Sequence, residues 1–144
     1  MERKAKRSVA LVAYPAGQRA YFVLVRRPDR PGEELPGVWG LPAASLAFGE
    51  REEEAARRLT SQKLGCGVRG LRLLGRGCED RPGYRLEMAV YEAELDRACP
   101  QLPAVPEDPG VTYYVAWRWG SPEDLHEALR AGSLCARVAL EALR

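Results

Sequence analysis

Residues 50–64 do most to limit the folds open to this chain, because they read as one helix set between β-rich runs. Glu50, Glu52, Glu53 and Glu54 crowd the first turn, Lys63 falls in the last, and Gly65 stands at the stop. That order complements the helix dipole and supplies a glycine C-cap. Upstream, residues 8–14 and 20–26 are β-rich, and the break at 15–19 suits a hairpin. A proline- and glycine-marked loop follows over 28–37. Downstream, Tyr84, Leu86, Met88 and Val90 alternate with Arg85, Glu87 and Ala89, the pattern of a half-buried strand. Residues 99–110 form a proline-rich loop. Val111, Tyr113, Val115, Trp117 and Trp119 then alternate as a second long strand. Ser121-Pro122 with Asp124 makes a helix start, and residues 133–143 a closing helix. Strands on both sides of the first helix are expected to pair across it, giving one sheet with helices on its faces and an α+β class.

A chain of 144 residues, with 46% hydrophobic and 29% charged residues, suits one domain spanning 1–144. No apolar run approaches the ~20 residues of a membrane helix, and the basic start lacks a signal-peptide core. A cytoplasmic location is the expectation. The net charge of +2 gives no case for a nucleic-acid surface. Cys66, Cys78, Cys99 and Cys135 are scattered and, with His126 as the one histidine, have no zinc spacing; they read as reduced, mostly apolar fillers.

Residues 37–66 read GVWGLPAASLAFGEREEEAARRLTSQKLGC. This closely resembles the Nudix family (MutT-like hydrolases), whose box runs G-x5-E-x7-R-E-U-x-E-E-x-G-U with U aliphatic. Gly37-Val38-Trp39 with Leu41-Pro42 resembles the usual lead-in, and Gly49-Glu50, Ala55-Ala56, Arg58 and Gly65 fall at the expected spacings. Arg118-Trp119 and Gly132-Ser133-Leu134 resemble the family's late strand and the start of its last helix. The resemblance implies an α/β/α sandwich, with a mixed β-sheet between helices.

It also implies chemistry: cleavage of a diphosphate in a nucleoside diphosphate-linked compound, by water, with magnesium or manganese bridging the phosphates. Hard ions take carboxylate oxygens, and glutamates at i, i+3 and i+4 share one helix face. The matching positions here are Leu59, Gln62 and Lys63, so no metal ligand is expected at any of them. Ala43-Ala44 stands where the family has a glycine pair. The leading expectation is therefore a binder of a nucleotide or nucleotide derivative with weak or no hydrolysis. One alternative is an active Mg- or Mn-dependent pyrophosphohydrolase using substitute carboxylates among Glu50, Glu53, Glu54, Glu79, Glu87 and Glu92. Another is a structural or interaction scaffold; homodimers are common in the family.

At single residues, Glu50 and Arg58 match a structural ion pair of the family, with Glu54 a further acid beside them. Lys63 either contacts a diphosphate in place of a metal or is a solvated lysine at a helix end. Trp39 is a candidate for base stacking from its loop, Arg27 for a phosphate contact, and Ala43 for the cleft wall. Tyr113 and Tyr114 are expected on opposite strand faces, with Tyr113 assigned to the cleft. Trp117 and Trp119 are expected to share a packed face, and His126 to lie on the surface.

Overall fold

The computed structural model describes residues 4–29, 35–103 and 113–143. Its elements run β1 (Lys4–Tyr14), β2 (Phe22–Arg26), β3 (Trp39–Gly40), β4 (Ala43–Ser45), α1 (Glu52–Leu59), a π turn (Thr60–Leu64), β5 (Val68–Arg81), β6 (Tyr84–Leu95), β7 (Ala116–Gly120), a 3₁₀ turn (Pro122–Leu125), α2 (His126–Arg130) and α3 (Leu134–Ala142). Strands β4-β1-β6-β5 form one sheet and β3-β2-β7 a smaller one. β1 and β6 are parallel, and every other pair is antiparallel.

The sequence of β1 and β2 explains their central places. Val9 to Tyr14 and Phe22 to Val25 are buried on both faces, the continuous apolar run of a doubly covered strand. Val9, Leu11, Ala13, Val23 and Val25 meet Leu59, Leu64, Tyr91 and Leu95 in the core beneath α1. Ala10, Val12, Phe22 and Leu24 meet Leu125, Ala128, Leu134, Val138 and Leu140 in the core beneath α2 and α3. Helices thus cover both faces of mixed strands, the α/β/α arrangement expected.

Three expectations about elements are corrected. β1 and β2 do not form a hairpin, because β4 and β6 take both edges of β1 and leave β2 to pair with β3 and β7. The helix of residues 50–64 starts at Glu52 and ends in a π turn rather than running on as α. The late strand is only Ala116–Gly120; Tyr113, Tyr114 and Val115 precede it, and Val111 lies outside the described residues. The closing helix is close to expectation, with the Ser133 hydroxyl accepting from the Ala136 amide at 3.2 Å. Trp117 and Trp119 meet edge to face at 5.2 Å, and His126 is exposed. No described helix is long and apolar enough to cross a membrane.

Candidate functional site

Ala43, the first residue of β4, is the hub of the site. Its amide donates to the Tyr114 hydroxyl at 2.8 Å, and that hydroxyl donates to the Ala43 carbonyl at 3.0 Å. Lys63 Nζ donates to the same carbonyl at 2.8 Å and lies 5.2 Å from the centre of the Tyr114 ring. Lys63 is 5% exposed, so the solvated lysine of the sequence reading is overturned. The cause is local. A π turn spans Thr60–Leu64 and closes on Gly65, a glycine at φ +64 whose amide donates to the Thr60 carbonyl. Lys63 lies four residues after the buried Leu59, on the helix face that packs against the core. Burial pushes the Tyr114 hydroxyl up to about 12, partly opposed by its bond to Ala43 and by the Arg27 charge.

Arg27, just past β2, and Ala43 line one small cavity of about 110 Å³, closed by Arg81, Leu86, Ser133 and Cys135. Arg27 also lowers the Cys135 thiol, although burial dominates there and the net shift is upward. Two of the five expected ligand contacts therefore share a cavity, and a third, Lys63, braces its wall from behind. Trp39 is elsewhere. It sits on β3 rather than in a loop, and the Arg118 guanidinium covers its ring at 4.5 Å. Tyr113 is buried with no hydrogen-bond partner for its hydroxyl among the described residues, and it is Tyr114 that reaches Ala43. The opposite-face argument fails because neither tyrosine is in a strand. Sequence reasoning missed Tyr114, Arg81 and Cys135; Ser133 could be read only as a helix start.

Arg58 and Glu50 pair in both prongs, Nε to Oε2 and Nη2 to Oε1, each at 2.9 Å. Arg58 also donates to the Ser45 carbonyl at 2.7 Å and to the Gln62 side-chain carbonyl at 3.2 Å. The Arg58 hydrogen bond, followed by burial acting the other way, leaves the Glu50 carboxyl below its ordinary range. Glu54 accepts from the Arg51 amide at 3.3 Å and from its guanidinium at 3.0 Å, capping α1 rather than facing the cavity.

Three further acids are committed elsewhere, whereas Glu53 and Glu87 line open clefts on the α1 side of the sheet. Glu52 holds Arg76 at 2.6 Å and the Tyr91 hydroxyl at 2.7 Å. Glu92 is buried between Arg19 at 2.8 Å and Arg72, and Glu79 meets Arg81 at 3.3 Å. Among the described residues no three of His, Cys, Asp and Glu gather to hold a metal ion.

Comparison with known proteins places this geometry in a family. The family model described as NUDIX domain matches residues 4–139. No curated protein matches the sequence. Among solved structures, the fold is similar to a MutT NUDIX hydrolase from Burkholderia pseudomallei, at TM-score 0.74 and 22% identity over 98% of this chain and 99% of that one. A NUDIX hydrolase from Nitrosomonas europaea superposes at TM-score 0.72 and 18% identity, covering 97% and 88% of the two chains. A MutT protein from Methanosarcina mazei Go1 does so at 0.69 and 17%, covering 98% and 97%. With the family model matching residues 4–139 and the folds superposing over nearly the whole length, the chain belongs to the NUDIX domain family.

Proposed function

We propose that this protein binds a nucleoside diphosphate-type small molecule in its NUDIX cleft without a divalent metal, and hydrolyses it weakly or not at all. The observation that carries the reading is the Lys63 ammonium, buried and bonded to the Ala43 carbonyl. The family implies magnesium or manganese, and the residues present do not fit such an ion. Leu59 is fully buried in the core beneath α1, the Gln62 carbonyl accepts from Arg58, and Lys63 brings a positive charge. A divalent cation beside an ammonium in a poorly hydrated site is repelled by several kcal/mol.

The cavity of about 110 Å³ is below the ~300–1,000 Å³ of whole-ligand pockets. It accepts one group of the ligand, with Arg27 as a two-pronged donor to an oxyanion. Lys63 is a positioning residue that fixes the wall rather than a direct contact. In this reading Arg27→Ala loses a charge-assisted hydrogen bond and weakens binding by about tenfold or more.

The test pairs a thermal melt under chelator with a turnover assay. ADP-ribose or a nucleoside triphosphate should raise the melting temperature with metal removed, by ~2.7 kcal/mol of stabilisation near 100 times the dissociation constant. Phosphate release with magnesium or manganese at order 1 per second or more would favour the hydrolase with substitute carboxylates and sink this reading. A silent melt and a silent assay would leave the interaction scaffold.

A further inference from the structure

Cys66 and Cys99 are far apart in the sequence, yet the fold brings their segments together. Val68 and Leu95 are the last antiparallel partners of β5 and β6. Beyond them the Asp96 amide donates to the Gly67 carbonyl at 3.0 Å, and the Gly67 amide donates to the Asp96 carboxylate at 2.9 Å. The two segments rejoin where the Gln101 amide donates to the Leu64 carbonyl at 2.7 Å. The ring closed by these contacts is short. It holds Gly65 and Cys66 on one side and Arg97, Ala98, Cys99 and Pro100 on the other. Counting inwards from the Leu64–Gln101 contact, the residue opposite Cys66 is Cys99.

Both glycines that flank Cys66 are pressed against this bend. A β-carbon on Gly65 would lie 2.2 Å from the Gln101 carbonyl oxygen, and one on Gly67 would lie 2.5 Å from an Asp96 carboxylate oxygen. Backbone contacts thus hold the segments together on either side of the two cysteines. Antiparallel neighbours keep their Cα atoms about 4.5–5.5 Å apart, within the roughly 4.4–6.8 Å that a disulfide spans. Cys66 is buried and Cys99 exposed. The groups acting on the Cys66 thiol all come from the bend: the Asp96 carboxylate, the Arg97 guanidinium and the Cys99 thiol.

We propose that Cys66 and Cys99 form a thiol–disulfide modification site, oxidised to an intramolecular disulfide by exchange with a small-molecule disulfide such as oxidised glutathione. Cys99, the exposed member, is the entry point. Its thiolate attacks one sulfur of the reagent, forming a mixed disulfide and releasing one small thiolate. The Cys66 thiolate then attacks the Cys99 sulfur, forming the Cys66–Cys99 bond and expelling the second small thiolate. The two protein protons end on the two released thiols, and the reagent is reduced as the pair is oxidised. Burial first, then the Asp96 charge, pushes the Cys66 thiol up to about 11, with Arg97 opposing and Cys99 adding to the rise. Ring closure by Cys66 is therefore the slow step, and it quickens as pH rises. The bridge fastens the end of the box helix to the bend after β6, whatever the cleft binds.

The test equilibrates the whole folded chain, without denaturant, in buffers of graded oxidised-to-reduced glutathione ratio. After acid quenching and alkylation of the remaining thiols, peptide mass mapping should find Cys66 joined to Cys99. Cys78 and Cys135 should stay out of the bridge, circular dichroism should be unchanged, and dithiothreitol should restore all four thiols. Closure of the mixed disulfide should speed up about tenfold per pH unit from roughly pH 7 to 9. Cys66→Ala should stop at a glutathione adduct on Cys99, and Cys99→Ser should keep Cys66 unmodified until the protein is unfolded. A wild type that stops at the Cys99 adduct, takes up no glutathione, bridges another pair, or closes only with loss of native circular dichroism overturns the proposal. A closure rate flat in pH overturns the assignment of Cys66 as the second nucleophile.

Discussion

A lysine at position 63 does two things a glutamate could not: it donates to the Ala43 carbonyl and it lies against the face of Tyr114. Both depend on positive charge, and both are interior. Lys63→Met keeps the bulk but loses the charged donor, and a urea titration should show a loss of about 1–3 kcal/mol. Lys63→Glu, the residue type of the active family, should cost more, about 3–5 kcal/mol, because it leaves an unpaired buried charge beside a carbonyl. A Lys63→Glu protein as stable as wild type at neutral pH would show that the ammonium is not an interior anchor. The residue types here were legible from the chain itself, since Leu59, Gln62 and Lys63 are plainly not carboxylates. The partner of the lysine was not legible: its i+4 spacing from Leu59 gives the buried face, but the Ala43 carbonyl it reaches lies 20 residues back in the chain.

Among elements, the helix was readable because its acids, its apolar spacing and Gly65 all agree, whereas β5 was not. Gly70, Gly75 and Gly77 interrupt its alternation, and two bulges, between Arg69 and Arg72 and between Leu73 and Gly75, shift its register. Pro82-Gly83, the two-residue turn into β6 with Gly83 at φ +82, was the one available signal. Tyr114 escaped for a related reason: alternation was extrapolated backwards past the start of β7. Gly65 offers a test at this scale. A β-carbon there would lie 2.2 Å from the Gln101 carbonyl oxygen, and the left-handed backbone costs a non-glycine residue about 1–2 kcal/mol. Gly65→Ala should therefore destabilise by more than the backbone term alone, about 2–4 kcal/mol by chemical denaturation. An unchanged midpoint would mean that the helix end does not close on residue 101.

For the whole molecule, acid is the informative perturbation. Hydrogen bonds from Arg58 and from Arg76 hold the Glu50 and Glu52 carboxyls below the ordinary 4.5. For Glu92 burial pulls upward, but the hydrogen bonds and charges of Arg19 and Arg72 outweigh it, and the net shift is also downward. Carboxyls depressed in the folded state contribute stability that is fully present above their unfolded values and is lost as pH falls through the folded ones. Stability should be flat from neutral pH to about 5 and fall steadily below 4.5. Glu92→Gln should shallow that fall while costing about 1–3 kcal/mol at neutral pH, a modest figure because both arginines are more than half exposed. Equal acid slopes for variant and wild type would remove Glu92 from the account.

The parallel pairing of β1 with β6 also fixes an order of events in time. Lys4 pairs with Tyr84 and Tyr14 with Glu94, so every residue of β1 waits for one made 80 positions later. At ribosomal rates of about 5–20 residues per second, that interval is roughly 4–16 s. Throughout it the apolar run from Val9 to Tyr14, wholly buried in the finished protein, has no parallel neighbour to dock on. A strand made early and buried late depends on slow, long-range closure. The nascent chain is at its most adhesive before its second half exists, and it is then that a chaperone has something to hold.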